Sequence, residues 1–159
     1  MGKYDGDITE PLNMCTVLAL KFDGHTLTFY GLNKTYTYPA VSGTAGPGST
    51  FDYSVERQKK PNEGPIPVGE YMIFAYELTE RGYIRHHWNE DSWGQYRVVI
   101  HPIRGTETYG RGGMFIHGGK YAGSIGCVDL TSNINRFADD LKAEVQATNN
   151  CKIPLTVKY

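Results

Sequence analysis

Only one stretch of the sequence has the spacing of an amphipathic helix, and this strongly limits the folds open to the chain. Between residues 132 and 147, apolar side chains recur at helical intervals, at Ile134, Phe137, Ala138, Leu141 and Val145. Elsewhere the sequence favours strands joined by tight turns. We therefore expect one helix, over about residues 131–148, late in a mainly β chain.

Short runs of β-forming residues fill most of the remaining sequence. Asp23-Gly24 separates two such runs, residues 15–22 and 26–30, and this dipeptide is a strong signal for a hairpin turn. Further strands are predicted at residues 35–38, 71–78, 96–102, 114–117 and 153–158. Nineteen glycines and 12 tyrosines agree with this reading. The pattern predicts a β-sandwich or flattened barrel that carries the one late α-helix.

Charge and hydropathy restrict the partners of the chain. Its 159 residues suit one domain, and 16 Lys and Arg stand against 17 Asp and Glu. This balance argues against a partner held through phosphates, so no nucleic acid is expected. No apolar run approaches the ~18 residues of a membrane span. The opening residues MGKYDGDITE contain no apolar signal-peptide core, so we expect synthesis in the cytoplasm without a visible signal peptide.

The three cysteines are Cys15, Cys127 and Cys151. An odd number leaves at least one free thiol, and without a CxxC pair no metal site is predicted. Cys15 and Cys151 are expected to remain separate thiols, because disulfide geometry is demanding. Pairing between them is the alternative, if the two ends of the chain meet in one sheet.

Residues 111–130, RGGMFIHGGKYAGSIGCVDL, contain the most informative pattern. His117 lies ten residues before Cys127, and four of the nine residues between them are glycines. Such a loop can return the chain so that imidazole and thiol meet as a nucleophilic pair. Two features predict a lowered pKa for the Cys127 thiol: His117 can accept its proton, and the positive end of the helix starting near Ser132 follows closely. The backbone N–H groups of Gly126 and Cys127 are the predicted oxyanion donors.

The motif HGG-x-x-x-G-S-x-G-C-x-D-L resembles the active-site signature of YkuD-type L,D-transpeptidases. GPIPVGEY, residues 64–71, resembles a second motif of the same family. The order of four segments is most similar to the type VI secretion L,D-transpeptidase effectors, which are toxins injected into rival bacteria. These segments are Asp23-Gly24, residues 62–71, residues 115–118 and residues 123–130. The resemblance spans about residues 15–158, and implies a single L,D-transpeptidase-like catalytic domain over residues 1–159, with 1–14 as an N-terminal extension.

The resemblance also implies roles for individual residues. Cys127 would be the nucleophile, His117 the general base, and the Gly118 carbonyl the third member of the triad. Ser124 would shape the turn or bond near the thiol, and Asp129 would hold the loop or the start of the helix. Ordinary turn and cap chemistry is an equally open account of Ser124 and Asp129.

Two departures separate the sequence from the housekeeping transpeptidases. Ile125 replaces a histidine before the Gly-Cys pair, and Asp129 stands where Arg or Asn is usual. Both departures match the effector branch. Weaker candidates for substrate binding are Tyr121, Tyr109 and His101, although His101 also suits a structural role.

The resemblance implies an enzyme acting on peptidoglycan stem peptides. It would cleave between meso-diaminopimelate and terminal D-Ala, as an L,D-carboxypeptidase, or exchange D-amino acids through a thioacyl-enzyme. No cofactor is implied. The expected partners are stem peptides, secretion machinery and a cognate immunity protein, and the expected place of action is the periplasm of target bacteria. The alternatives are a transpeptidase that crosslinks the producer's own wall and a non-catalytic β-sandwich that binds wall material.

Overall fold

The computed structural model describes residues 17–82, 88–148 and 152–159. The strands in these ranges are β1 Ala19–Phe22, β2 Thr26–Tyr30, β3 Thr35–Pro39, β4 Val41–Ser42, β5 Gly69–Phe74, β6 Thr79–Glu80, β7 Tyr96–Pro102, β8 Met114–His117, β9 Val128–Asp129 and β10 Lys152–Val157. The α-helices are α1 Val55–Gln58, α2 Glu90–Trp93 and α3 Ile134–Thr148, and 3-10 turns occupy Pro47–Ser49, Ala75–Glu77 and Thr131–Asn133. A mainly β architecture with one sizeable late helix is therefore confirmed.

The strands form one barrel-like sheet in the order β3-β2-β1-β10-β5-β7-β8-β9-β4, with β6 beside β7. Only Ala40 separates β3 from β4, although these strands stand at opposite ends of the order. The backbone itself therefore joins the two edges. Strand β7 links the halves of the sheet, because His101 and Pro102 pair with β5 whereas Arg97 to Ile100 pair with β8.

Helix α3 closes the core through its apolar face. Ile134, Phe137, Ala138 and Leu141 are all buried. The Phe137 ring meets Tyr38 edge-on at 5.4 Å between centroids. On the polar side of the same contact, Tyr38 Oη donates to Asp140 Oδ2 at 2.6 Å. This packing fixes the start of α3, which is separated from β9 by one 3-10 turn; β9 is the strand that follows Cys127.

Several short elements differ from the sequence expectation. The strand predicted to reach Leu78 ends at Phe74, where a 3-10 turn exposes Tyr76. Strands β4, β6 and β9 have two residues each, too few for a visible alternation. Helices α1 and α2 are single turns that Ser54 and Asn89 cap, each by accepting a backbone N–H bond.

Some expectations lie outside the described residues. Residues 1–14, Cys15 and Cys151 are among them, so the extension and the pairing of these two cysteines remain predictions. Every helix in the described part of the chain is too short or too polar to cross a bilayer.

Candidate active site

Cys127 and His117 lie at the ends of two neighbouring parallel strands. Ile116 pairs with Val128 and His117 with Asp129, and one further step of this register places Cys127 opposite Phe115. Alternate residues of a strand face the same side of the sheet. The side chains of His117 and Cys127 therefore share one face, while Ile116 and Val128 point into the core.

This face opens into a cleft of about 300 Å³. Helix α2 and the loop before Cys127 contribute the rest of its lining. The complete set of lining residues is Asp91, Ser92, Trp93, His117, Tyr121, Gly123, Ser124, Ile125 and Cys127. The structure thus brings the predicted nucleophile and base to one cleft.

The imidazole of His117 is held in one orientation. Its Nδ1 lies 2.6 Å from the carbonyl oxygen of Gly118, and since a carbonyl only accepts, Nδ1 carries the proton. The other nitrogen, Nε2, is then an unprotonated base. Burial lowers the pKa of His117, the charge of Arg97 lowers it further, and the Gly118 bond opposes both. Burial and the charge of Arg97 together favour a neutral imidazole at pH 7.

Close packing requires a glycine at position 118. A Cβ at this position would collide with Thr131 O and the Ile134 side chain at the start of α3. Its N–H donates to Trp93 O at 2.9 Å, which fastens α2 beside the cleft. The Trp93 ring lies 5.0 Å from the His117 ring between centroids. The glycine therefore lets three elements converge on the imidazole.

Ser124 closes the turn that presents Cys127. Its hydroxyl donates to Cys127 O at 2.7 Å and accepts from Cys127 N–H at 3.1 Å. Its own N–H donates to Gly43 O at 2.8 Å. Of the two predicted oxyanion donors, Cys127 N–H is thus occupied, whereas Gly126 N–H has no hydrogen-bond partner among the described residues.

The electrostatics of the thiol differ from the expectation. Cys127 is only 3% exposed, and burial raises its pKa to about 12 rather than lowering it. The negative charge of Asp129 adds to this rise, while the Phe115 backbone and the charges of Arg97 and Arg111 act against it. The thiol is therefore protonated at rest, and a thiolate requires transfer of its proton to a nearby base.

Asp129 ties the cleft loop to the start of the helix. Its Oδ2 accepts from Gly123 N–H at 2.9 Å and its Oδ1 from Thr131 N–H at 2.9 Å. Only 1% of the residue is exposed, and this burial raises its pKa to about 7 against the two N–H bonds. Asp129 was expected to hold either the loop or the start of the helix. Its one carboxylate holds both.

The three predicted substrate residues are placed differently from one another. Tyr121 lines the cleft and is 66% exposed. His101 lies elsewhere on β7, buried, with Nε2 at 2.7 Å from Glu77 Oε1. Tyr109 also lies outside the cleft lining, with the Lys59 ammonium 5.9 Å from its ring. Only Tyr121 of the three is therefore near Cys127 and His117.

Sequence reasoning gave no role to Arg97 and counted Trp93 only among the aromatic residues that could line a groove or belong to the core. The Arg97 guanidinium lies 4.6 Å from the Trp93 ring and 4.9 Å from the Phe115 ring, against the strand of His117. Trp93 comes from a single-turn helix without periodicity, so its place beside the His117 ring follows from the fold and not from a local pattern. Among the described residues, no group of three His, Cys, Asp or Glu side chains is arranged to hold a metal.

Comparisons with known proteins agree with this architecture. The structure of Bdellovibrio bacteriovorus Bd1075 aligns with a TM-score of 0.50 at 16% identity, over 96% of this chain and 51% of that one, which shows a shared fold. This chain thus spans about half the length of that protein. No curated protein matches the sequence. The family model described as the Tlde1 domain matches residues 40–155, which include the cleft, its cysteine and its histidine. The chain therefore belongs to the Tlde1 family, the type VI secretion effectors related to L,D-transpeptidases.

Proposed function

We propose that this protein is a cysteine-dependent enzyme that cleaves peptidoglycan stem peptides between meso-diaminopimelate and the terminal D-Ala. The observation that carries the proposal is the shared cleft of Cys127 and His117, in which the Gly118 carbonyl fixes the imidazole tautomer. A nucleophile, a base and a group that orients the base form the minimal set for acyl transfer. Membership of the Tlde1 family supports the peptidoglycan substrate.

Catalysis begins with proton transfer within the pair. His117 Nε2 takes the proton from Cys127 Sγ, and the thiolate attacks the carbonyl carbon at the L-centre of diaminopimelate. The C–N bond then breaks, and the imidazolium gives its proton to the departing D-Ala amine. A thioacyl-enzyme remains. Because burial raises the thiol pKa, the thiolate forms only with transfer of its proton to the base.

Gly126 N–H is the proposed oxyanion donor. It belongs to the turn that presents Cys127 and is not committed to another described residue. Cys127 N–H joins it only if the Ser124 hydroxyl releases its bond during the reaction. Ser124 and Asp129 are proposed to support the turn, and Tyr121 to contact the substrate at the rim of the cleft.

The acyl acceptor decides the product. Water releases a tripeptide, which is L,D-carboxypeptidase activity, and a D-amino acid gives an exchanged stem. Removal of D-Ala from tetrapeptides eliminates donors for crosslinking, which suits an antibacterial toxin acting in the periplasm of target bacteria. A secretion machinery and a protective immunity protein are the partners that such a role requires.

Cys127→Ala tests the proposal directly. Purified muropeptides are incubated with the protein and with the variant, and the products are identified by mass spectrometry. We expect free D-Ala and tripeptide from the protein, and no turnover from the variant, whose fold is checked by circular dichroism. Full turnover by Cys127→Ala would end the covalent-thiol mechanism.

The buried thiol favours a second candidate, a non-catalytic module that binds wall material. An inert Cys127 is what a structural cysteine with a raised pKa predicts. Iodoacetamide labelling followed by peptide mapping separates the two functions. Rapid alkylation of Cys127 at neutral pH supports the enzyme, whereas an unreactive thiol together with intact muropeptides supports the binding module.

A further inference from the structure

We propose that Arg111 is a positioning residue for Cys127, and that the Gly-Pro-rich segment around residues 64–68 serves as its binding cage. The inference rests on the proposed function, since it assigns Arg111 to the support of the nucleophile. It also gives a role to a sequence motif that the cleft itself leaves unexplained.

The guanidinium of Arg111 is held by three backbone carbonyls. Nη1 donates to Gln58 O at 2.6 Å and to Pro65 O at 2.7 Å, and Nη2 donates to Gly64 O at 2.7 Å. A planar group with several donors in a fixed fork suits such a cage, whereas a lysine ammonium does not reproduce it. The position of the charge is therefore set by the segment that surrounds it.

The cage is in turn held rigid by side chains. Ile66 N–H donates to Ser42 Oγ at 2.8 Å, and Tyr71 Oη donates to Pro67 O at 2.7 Å. Gln58 Oε1 accepts from Val68 N–H at 3.0 Å. Prolines at two positions of this segment further limit its backbone. Its polar groups are thus fixed by neighbouring strands and by α1, so the cage does not need a substrate to form.

Arg111 meets the turn of the nucleophile at Gly126. A Cβ on Gly126 would lie 2.6 Å from Arg111 Nη2, so the guanidinium packs against the bare Cα. Gly126 also has φ of +105°, a conformation that residues with side chains rarely adopt. The residue before Cys127 is therefore a glycine for two reasons, and one of them is the approach of Arg111.

Charge adds to this mechanical support. Arg111 lowers the pKa of the Cys127 thiol, in the same direction as Arg97 and against Asp129 and burial. His117 is favoured as neutral, and Asp91 and Tyr121 are the other titratable residues that line the cleft. Removal of Arg111 thus has two effects: it takes away a positive charge, and it removes the contact that supports the turn.

The test combines the rate of Cys127 alkylation at pH 9 with muropeptide turnover. In Arg111→Met, we expect alkylation to slow several-fold and turnover to fall by roughly tenfold or more. Arg111→Lys keeps the charge but loses the fork, so its alkylation rate stays near that of the protein while its turnover falls. Circular dichroism verifies the fold of each variant. If Arg111→Met does not fold, the turnover of Arg111→Lys tests the inference.

Arg57→Met is the matched control. Arg57 also links two loops, through Thr44 Oγ1 at 2.7 Å and Glu63 at 3.7 Å, but within the described part of the chain its side chain does not bond to the turn before Cys127. We expect both readouts to be unchanged in this variant. An Arg111→Met alkylation rate equal to that of Arg57→Met, or full turnover by Arg111→Lys, overturns the inference. If the unmodified protein leaves muropeptides intact while Arg111→Met still slows alkylation, the proposed function fails and the positioning role stands.

Discussion

Two histidines on neighbouring strands are buried to nearly the same degree but differ in the partner of the ring and in the space beside it. His101 on β7 is 5% exposed and His117 on β8 is 4% exposed. His101 bonds to the Glu77 carboxylate at 2.7 Å, among apolar rings such as Phe74. His117 bonds to a neutral carbonyl and borders an open cleft with a thiol.

The difference shows that burial alone does not identify a candidate base. His101 lies outside the lining of the cleft, whereas His117 lines it. An imidazole fixed through Nδ1 on a backbone carbonyl keeps Nε2 available to the cleft. The space beside the ring separates the two roles and the partner does not, since a carboxylate also orients the imidazole of catalytic triads.

Replacement of His117 is expected to have the largest effect. His117→Ala removes the base, and since nucleophile and base act as a unit, turnover should fall by a factor on the order of 10³ or more. Muropeptide assays measure this, with thermal unfolding as the check on the fold. Combining His117→Ala with Cys127→Ala should add little further loss. Turnover near that of the unmodified protein would contradict the distinction between the two histidines.

His101→Leu is expected to show the opposite pattern. It leaves the half-buried Glu77 carboxylate without its imidazole, at a cost of about 1–3 kcal/mol in the free energy of unfolding. Turnover of folded protein should stay near its normal value. Urea denaturation gives the stability, and Glu77→Gln serves as the companion variant. A loss of turnover without a loss of stability would place His101 in catalysis.

Asp129→Asn tests a third buried titratable group, which lies between the strand of His117 and the cleft loop. An amide oxygen replaces only one of the two N–H acceptors, so stability should fall by about 1 kcal/mol and turnover by roughly tenfold, as the loop at Gly123 loosens. Denaturation and muropeptide assays measure the two effects. Unchanged turnover with reduced stability would limit Asp129 to a purely structural role.

The same variant should also change the pH dependence of folding. Because burial raises the pKa of Asp129 to about 7, the native state binds more protons than the unfolded state between about pH 4 and pH 7. This group therefore makes stability fall as pH rises through that window. Asp129→Asn should flatten the slope, and denaturation at pH 5 and pH 8 measures the change. An identical slope in both proteins would contradict the raised pKa.

The smallest expected effect is the pH limit set by His117. Burial and Arg97 lower its pKa from the usual 6.5, so the neutral base should persist, and turnover with it, to somewhat below pH 6.5. The stability that depends on a neutral His117 is fully present above pH 6.5 and is lost as pH falls below that value. Turnover against pH, fitted for its acidic limb, checks the prediction. An acidic limb above pH 6.5 would argue for a different base.

The sequence predicts the parts of this molecule that depend on local pattern. The Asp23-Gly24 hairpin is confirmed, with Gly24 at φ of +95°, and so is the helix that begins at Ile134. The convergence of His117 and Cys127 on one cleft follows from a glycine-rich loop, which a linear sequence shows directly.

The remainder depends on contacts that no local pattern records. Cys127 N–H has several possible acceptors in a tight turn, and the sequence does not indicate that it bonds to Ser124 Oγ. The cage of Arg111 joins residues about 50 positions apart, since Gln58 O and Pro65 O meet the same guanidinium. The raised pKa of the thiol results from burial by the whole fold, and this outweighs the nearby helix end that the sequence suggested.

The order of strands also makes the barrel depend on one strand that is distant in sequence from its neighbours. Strand β10 lies between β1 and β5, parallel to β1. A chain that lacks β10 holds two separate groups of strands with unpaired edges, and such long-range pairing is slow to form. The two halves of the barrel should therefore remain undocked until β10 is available. Docking of β10 is thus expected to be the step that completes the barrel.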